Sequence, residues 1–112
     1  MDVVLGLGFD LFFKPKLNDA ARRANVELRY ATPAQAVDAA KGAARVVADA
    51  SAPGVEDALR DVRAAHPALP ILACYPHVEE ARAVAIRALG GVAIPRGAFA
   101  ARLEDALAGK LA

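Results

Sequence analysis

The sequence predicts an α/β domain built on a parallel sheet with helices on both faces. Three observations carry this reading. Short aliphatic runs of strand length recur at residues 3–5, 26–30, 45–49, 70–75 and 92–94. Each is followed by a stretch whose apolar residues stand at helical spacing, the alternation that builds parallel sheets through crossover helices. Most of the runs are apolar without interruption, as strands covered on both faces require.

Val3-Val4-Leu5 is the first strand, closed by Gly6-Leu7-Gly8, read as a tight strand-to-helix turn. Asp10 stands where it can cap a helix running to about Arg23, with Leu17, Ala20, Ala21 and Ala24 on one side. Pro15 conflicts with a helix interior because it has no backbone donor, so the helix bends at Pro15 or starts near it. Val26-Glu27-Leu28-Arg29-Tyr30 alternates apolar and polar residues, the pattern of a half-buried edge strand. Thr32, Pro33 and Gln35 supply an N-cap, a first-turn proline and a capping-box partner for a helix that ends near Gly42.

Arg45-Val46-Val47-Ala48-Asp49 is a central strand ending on a carboxylate, and Ser51-Ala52-Pro53-Gly54 is a loop. Residues 55–65 form a helix with Val55, Leu59 and Val62 on one stripe, His66 in its last turn and Pro67 as its stop. Pro70-Ile71-Leu72-Ala73-Cys74-Tyr75 is the fourth strand. Residues 77–89 are the fourth helix, stopped by Gly90-Gly91. Val92-Ala93-Ile94 is the fifth strand, and residues 99–111 a final helix with Phe99, Leu103, Leu107 and Leu111 four apart. Right-handed crossovers and this length give the flavodoxin-like, doubly wound strand order 2-1-3-4-5. A site then belongs at the carboxyl ends of strands 1, 3, 4 and 5.

The 112 residues fit one domain spanning the whole chain. Fourteen basic against 13 acidic side chains give a net charge of +1, which lacks the basic field a nucleic-acid binder needs. Hydrophobic residues make up 56% and aromatics only 5%, so much of the apolar content is alanine, and disorder is excluded. Cys74 is the single cysteine, which excludes an internal disulfide framework and a cysteine-rich zinc site. No basic segment leads into a long apolar stretch, and no apolar run is long enough to span a bilayer. A cytoplasmic protein without membrane contact is expected.

The segment Val46-Val47-Ala48-Asp49-Ala50-Ser51-Ala52-Pro53-Gly54 resembles the phosphoacceptor segment of response-regulator receiver domains. In that family an aliphatic strand ends on the phosphorylated aspartate, with Pro-Gly four and five residues later. Residues 70–75 resemble the fourth receiver strand, and residues 90–107 the fifth strand and last helix. His77-Val78-Glu79, Pro95-Arg96 and Phe99-Ala100-Ala101-Arg102-Leu103 are similar to segments of a group of small stand-alone receiver-like proteins. The resemblance implies a two-component signalling module with Asp49 as its phosphoacceptor candidate.

Departures from the family pattern shape the expectation. Where receivers place two adjacent acidic residues after strand 1 to hold magnesium, this chain has Gly6-Leu7-Gly8-Phe9 and no carboxylate until Asp10. The small hydroxyl residue at the end of strand 4 aligns with Tyr75, or with Cys74 in the other register. The lysine after strand 5 aligns with Arg96 or Pro95, and the aromatic switch residue with Val92 or Ala93. Only Asp49 stands unambiguously. Asp10 and Asp49 are the two carboxylates that would hold Mg²⁺, which needs near-octahedral oxygen geometry and dehydrates reluctantly. The plainer reading has Asp10 capping a helix and Asp49 accepting hydrogen bonds from the backbone or Arg96, with no metal or other cofactor.

Gly6-Leu7-Gly8 also opens a dinucleotide fingerprint, but its third glycine would fall at Leu11. Cys74 reads as a small core residue. With His77 just past it, it makes a Cys/His pair lacking an orienting third group. His66 is explained by the helix dipole, and two histidines without clustered carboxylates make no transition-metal site. The alanines of the fourth helix allow close approach. The resemblance nominates the helix 4/strand 5/helix 5 face for a protein partner or a second copy of the chain.

The expected function is a stand-alone receiver-like protein-interaction module that is not an enzyme and does not depend on phosphorylation. One alternative is a single-domain response regulator phosphorylated on Asp49 by a histidine kinase. The other is a small-molecule or nucleotide binder in a pocket of Gly8, Asp10, Tyr75, His77 and Arg96 around Asp49.

Overall fold

Five strands, β1 (Val3–Leu7), β2 (Glu27–Ala31), β3 (Arg45–Asp49), β4 (Ile71–Tyr75) and β5 (Val92–Pro95), form the computed structural model's central sheet; the structure describes residues 1–111. Helices α1 (Lys14–Ala24), α2 (Ala36–Ala39), α3 (Val55–Ala65), α4 (Glu80–Ala88), α5 (Arg96–Ala101) and α6 (Leu103–Leu107) flank it, with a 3₁₀ turn at Pro33–Gln35 leading into α2. All pairings are parallel and the order is β2-β1-β3-β4-β5, as the sequence predicts. Every residue of β4 is buried, whereas β2 alternates as an edge strand should.

Pleating sends alternate side chains to opposite faces and so creates two cores. Leu5, Leu7, Val46, Ala48, Ile71 and Ala73 pack against residues of α2, α3 and α4, including Leu59 and Ile86. Val4, Val47, Leu72 and Cys74 face the other way, onto α1, α5 and α6, where Leu17, Phe99 and Leu107 are fully buried.

Several boundaries differ from the sequence reading, each for a physical reason. β1 continues through Gly6 and Leu7, because Gly6 packs beside Tyr30 of β2, whose ring atoms lie 3.1 Å from where a Cβ would sit. Only Gly8 makes the turn, at φ +83°. Of the two arrangements expected at Pro15 the structure has the second, α1 starting at Lys14 with Pro15 in its first turn, and its N-cap is Phe13 rather than Asp10. Gln35 Oε1 accepts the Thr32 N–H at 3.1 Å, but α2 closes at Ala39, before Gly42. α4 begins at Glu80 rather than residue 77, because Pro76 O accepts the Glu79 N–H at 2.8 Å and closes a turn first. The predicted last helix is two helices joined at Arg102, where φ is −133°. No local breaker stands there. Burial of both Phe99 and Leu103 beside the joint overrides the continuous helical propensity.

Candidate functional site

The sheet register brings the ends of β3, β4 and β5 level, pairing Asp49 with Cys74 and Cys74 with Ile94. Asp49 is the last residue of β3, and its Oδ1 accepts the Ser51 N–H at 3.0 Å and the Ser51 hydroxyl at 2.7 Å. This is the local side-chain turn that an aspartate favours, its carboxylate accepting from the backbone N–H two residues on. Arg96, the first residue of α5, reaches across from the end of β5. Its Nη2 donates to Asp49 Oδ2 at 2.9 Å, to Oδ1 at 3.1 Å and to Ser51 Oγ at 2.6 Å. The three side chains close a ring of charge-assisted hydrogen bonds. The Asp49 side chain is only 17% exposed and that of Arg96 46%. Burial pulls the Arg96 pKa down, but the charge and hydrogen bonding of Asp49 outweigh it and hold the pKa above its ordinary value.

The β1–α1 loop forms the opposite wall. Asp10 Oδ1 accepts the N–H groups of Phe12 at 3.0 Å and Phe13 at 2.8 Å, and the Asp10 carbonyl accepts those of Phe13 and Lys14. Phe9, Phe13 and Phe99 stack nearly parallel with centroids 5.5 to 6.0 Å apart, which ties this loop to α5. Gly8 lies beneath: a Cβ there would meet Asp49 O at 3.0 Å and Val55 Cγ2 at 2.8 Å, so its lack of a side chain lets the loop sit on the end of β3.

Between these walls lies a cleft of about 140 Å³ lined by Phe9, Asp10, Phe13, Asp49, Cys74 and Arg96. Of the predicted site residues the cleft gathers Asp10, Asp49 and Arg96. Tyr75 points to the other face of the sheet, into the core beneath α2, α3 and α4, and is 4% exposed. His77 stands exposed in the β4–α4 loop and does not line the cleft. Cys74 is the β4 residue that faces it. Burial, reinforced by the Asp49 charge and only partly offset by Arg96, pushes the Cys74 thiol up to about 12, so it is held protonated at neutral pH. Ser51 and the three stacked phenylalanines are the members the sequence reading missed. The Asp49-Ala50-Ser51 spacing was the available signal for the first.

A second cluster braces the site from behind. Arg82 Nε donates to Glu79 at 2.7 Å, and its Nη1 to Ala50 O at 3.0 Å and Glu56 at 3.3 Å, linking α4 to the loop after β3. His66 does not face the site; its Nε2 meets Val37 O at 3.0 Å and joins α3 to α2. Among the described residues, no three His, Cys, Asp or Glu side chains cluster as metal ligands, and no helix is long and apolar enough to cross a membrane.

No protein-family model matches the sequence, and no curated protein matches it either. Solved structures do. A response regulator receiver domain protein from Clostridium thermocellum superposes with a TM-score of 0.82 at 14% identity, covering 98% of this chain and 94% of that one. The chain has the receiver-domain fold. A chemotaxis response regulator of Vibrio cholerae (TM-score 0.79, 18% identity, 99% of each chain) and the receiver domain of HemR from Leptospira biflexa (TM-score 0.78, 19% identity, 96% and 94%) are similar to it over nearly their full lengths. The receiver resemblance read from the Asp49 segment thus extends through the whole architecture. Asp49 falls at the carboxyl edge of the sheet that such a fold uses for its site.

Proposed function

We propose that this chain is a receiver-like signalling module that acts by binding proteins, with no phosphorylation of Asp49. One observation carries the reading: both oxygens of the Asp49 carboxylate are engaged by the Arg96 guanidinium, and Oδ1 also by Ser51. A carboxylate that attacks a phosphodonor needs a free lone pair and cations arranged around the incoming phosphoryl oxygens. Here an internal cation already covers that carboxylate.

The donor set also fits Mg²⁺ poorly. Asp10 spends Oδ1 on two backbone N–H groups and both Asp49 oxygens face a guanidinium, so among the described residues the two carboxylates offer Asp10 Oδ2 as their one unengaged oxygen, against the near-octahedral oxygen set that Mg²⁺ requires. Arg96 serves as the fixed counter-ion that holds the β3 and β5 ends in one arrangement. A partner then reads a permanent surface, and the α4, β5 and α5 face is the one nominated. There, Val84 of α4 is 60% exposed and β5 lies half-buried along the sheet edge.

The test is incubation with acetyl phosphate and Mg²⁺, followed by intact-mass measurement. No phosphoryl adduct is expected on the wild type. A Mg²⁺-dependent adduct that disappears in Asp49→Asn overturns the proposal.

A further inference from the structure

We infer that this chain binds a small neutral apolar molecule, one carbon ring or a branched chain of similar size, in a cavity at the amino edge of the sheet. The site stands at the opposite end of the strands from Asp49, and the inference goes beyond the protein-interaction reading without resting on it.

The cavity measures about 170 Å³ and lies where β3, β4 and β5 begin. Val46, Ile71, Leu72 and Val92 form its floor, Ala106 of α6 one wall, and the chain beyond α6 the other. Position 106 makes the room. α6 buries Leu103, Ala106 and Leu107 against the sheet, and the alanine leaves unfilled the volume a third leucine would take. The outer wall is fixed by its own turn. Gly109 stands at φ +76°, with Arg45 Nε 2.7 Å from where its Cβ would sit, and the Lys110 N–H donates to Asp105 O at 2.9 Å. That turn brings Leu111 back against the core that holds Leu72 and Ala106. The cavity is thus formed before any ligand arrives, and little ordering entropy opposes binding.

The chemistry of the lining selects the occupant. Arg45 is the one polar side chain in it, and its guanidinium is committed: Nη1 donates to Leu107 O at 2.8 Å and Nη2 to Asp2 at 3.1 Å. An anion would have to take Arg45 from Asp2, and a cation would be set against the guanidinium. Beneath, the Val46 N–H is spent on Pro70 O at 2.9 Å, and no buried side-chain nitrogen or oxygen among the described residues lacks a partner. A ligand rich in polar groups would give up hydrogen bonds to water and regain none. An apolar one gains, since a cavity of about 150 Å³ lined by apolar side chains stays dry and holds benzene. A partner protein is disfavoured: none of the five large exposed apolar side chains lines the cavity, which leaves it without the wide surround that a protein interface needs.

Titration of the ¹⁵N-labelled full chain with benzene tests this, with benzoate and benzylamine as charged controls. Benzene should shift the amides of residues 46, 71, 72, 92 and 106–111 saturably and raise Tm, and the charged controls should do neither. Ala106→Leu, which fills the space from within, should abolish the shifts while its own amide spectrum stays dispersed. Leu111→Ala, at a partly buried site, keeps the test open if the filled variant misfolds; it should weaken benzene binding roughly tenfold. A non-saturating response, shifts centred elsewhere, undiminished binding by a folded Ala106→Leu or by Leu111→Ala, or charged controls binding as well as benzene would each overturn the inference. So would shifts of these same amides on raising the protein concentration alone and their loss in Phe12→Ser, because a side chain of a second copy would then be the occupant.

Discussion

Replacing Arg96 by alanine removes the only side-chain cation on Asp49 among the described residues. The loss is a charge-assisted contact to both carboxylate oxygens at 2.9 and 3.1 Å, together with the 2.6 Å bond to Ser51 Oγ. Hydrogen bonds to charged groups contribute about 1.5–3 kcal/mol, and breaking a fully buried ion pair costs about 3–5 kcal/mol. Two features lower the figure here. The Arg96 side chain is 46% exposed, so solvent screens the pair, and Asp49 keeps both Ser51 donors. About 1.5 kcal/mol remains, or roughly 6 °C in Tm for a domain of this size. Urea unfolding of wild type, Arg96→Ala, Asp49→Ala and the double variant isolates the pair term, expected at about 1 kcal/mol. A coupling below about 0.3 kcal/mol would show that the two residues stand together without holding each other, and the internal counter-ion argument would fail.

Three further outcomes follow from the same packing. Gly8→Ala forces a side chain at φ +83° into Ala52, Val55 and Asp49 O, all within 3.0 Å, so urea unfolding should register a loss of about 2–4 kcal/mol. Arg63 donates to the carbonyls of Leu89, His66, Pro67 and Leu69, so Arg63→Ala should cost about 2–3 kcal/mol in the same assay, with hydrogen exchange accelerating first in the α3–β4 loop. Cys74 ionises near its ordinary 9.0 when unfolded but at about 12 when folded, so its contribution is complete below pH 9 and is lost as pH rises between these values. Burial raises Tyr30 in the same direction. Measured stability should therefore fall through this alkaline window, by less in Cys74→Ala. A thiol reagent at pH 8 should leave Cys74 unmodified until the chain unfolds.

The fold was legible because each local signal agreed with the global one. The β-branched runs of β1, β3 and β4, the Thr32-Pro33-Ala34-Gln35 helix start and the Gly90-Gly91 stop all act over a few residues, and the strand order then follows from handed crossovers. What escaped depends on contacts distant in sequence. Gly6 reads as part of a turn in sequence because its partner, Tyr30, lies on another strand, and the joint at Arg102 answers to burial of Phe99 and Leu103 rather than to propensity. At the site, Asp49 was legible from strand-end position and the following Pro-Gly. Whether Cys74 or Tyr75 faced the cleft was a one-residue register matter, since adjacent strand residues point to opposite faces. The Arg96–Asp49 pair joins residues 47 apart, so the sequence could offer it only as an alternative to a metal site.

The most direct measurement of the central claim is the amide spectrum of the ¹⁵N-labelled chain with beryllofluoride and Mg²⁺, recorded beside Asp49→Asn. If Arg96 is the permanent counter-ion of Asp49, the wild-type spectrum stays where it is, and the resonances of residues 49–51 and 96 do not move. Mg²⁺-dependent shifts centred on Asp49 and absent from Asp49→Asn would contradict it, because they would mean that the guanidinium yields its place to a phosphoryl mimic.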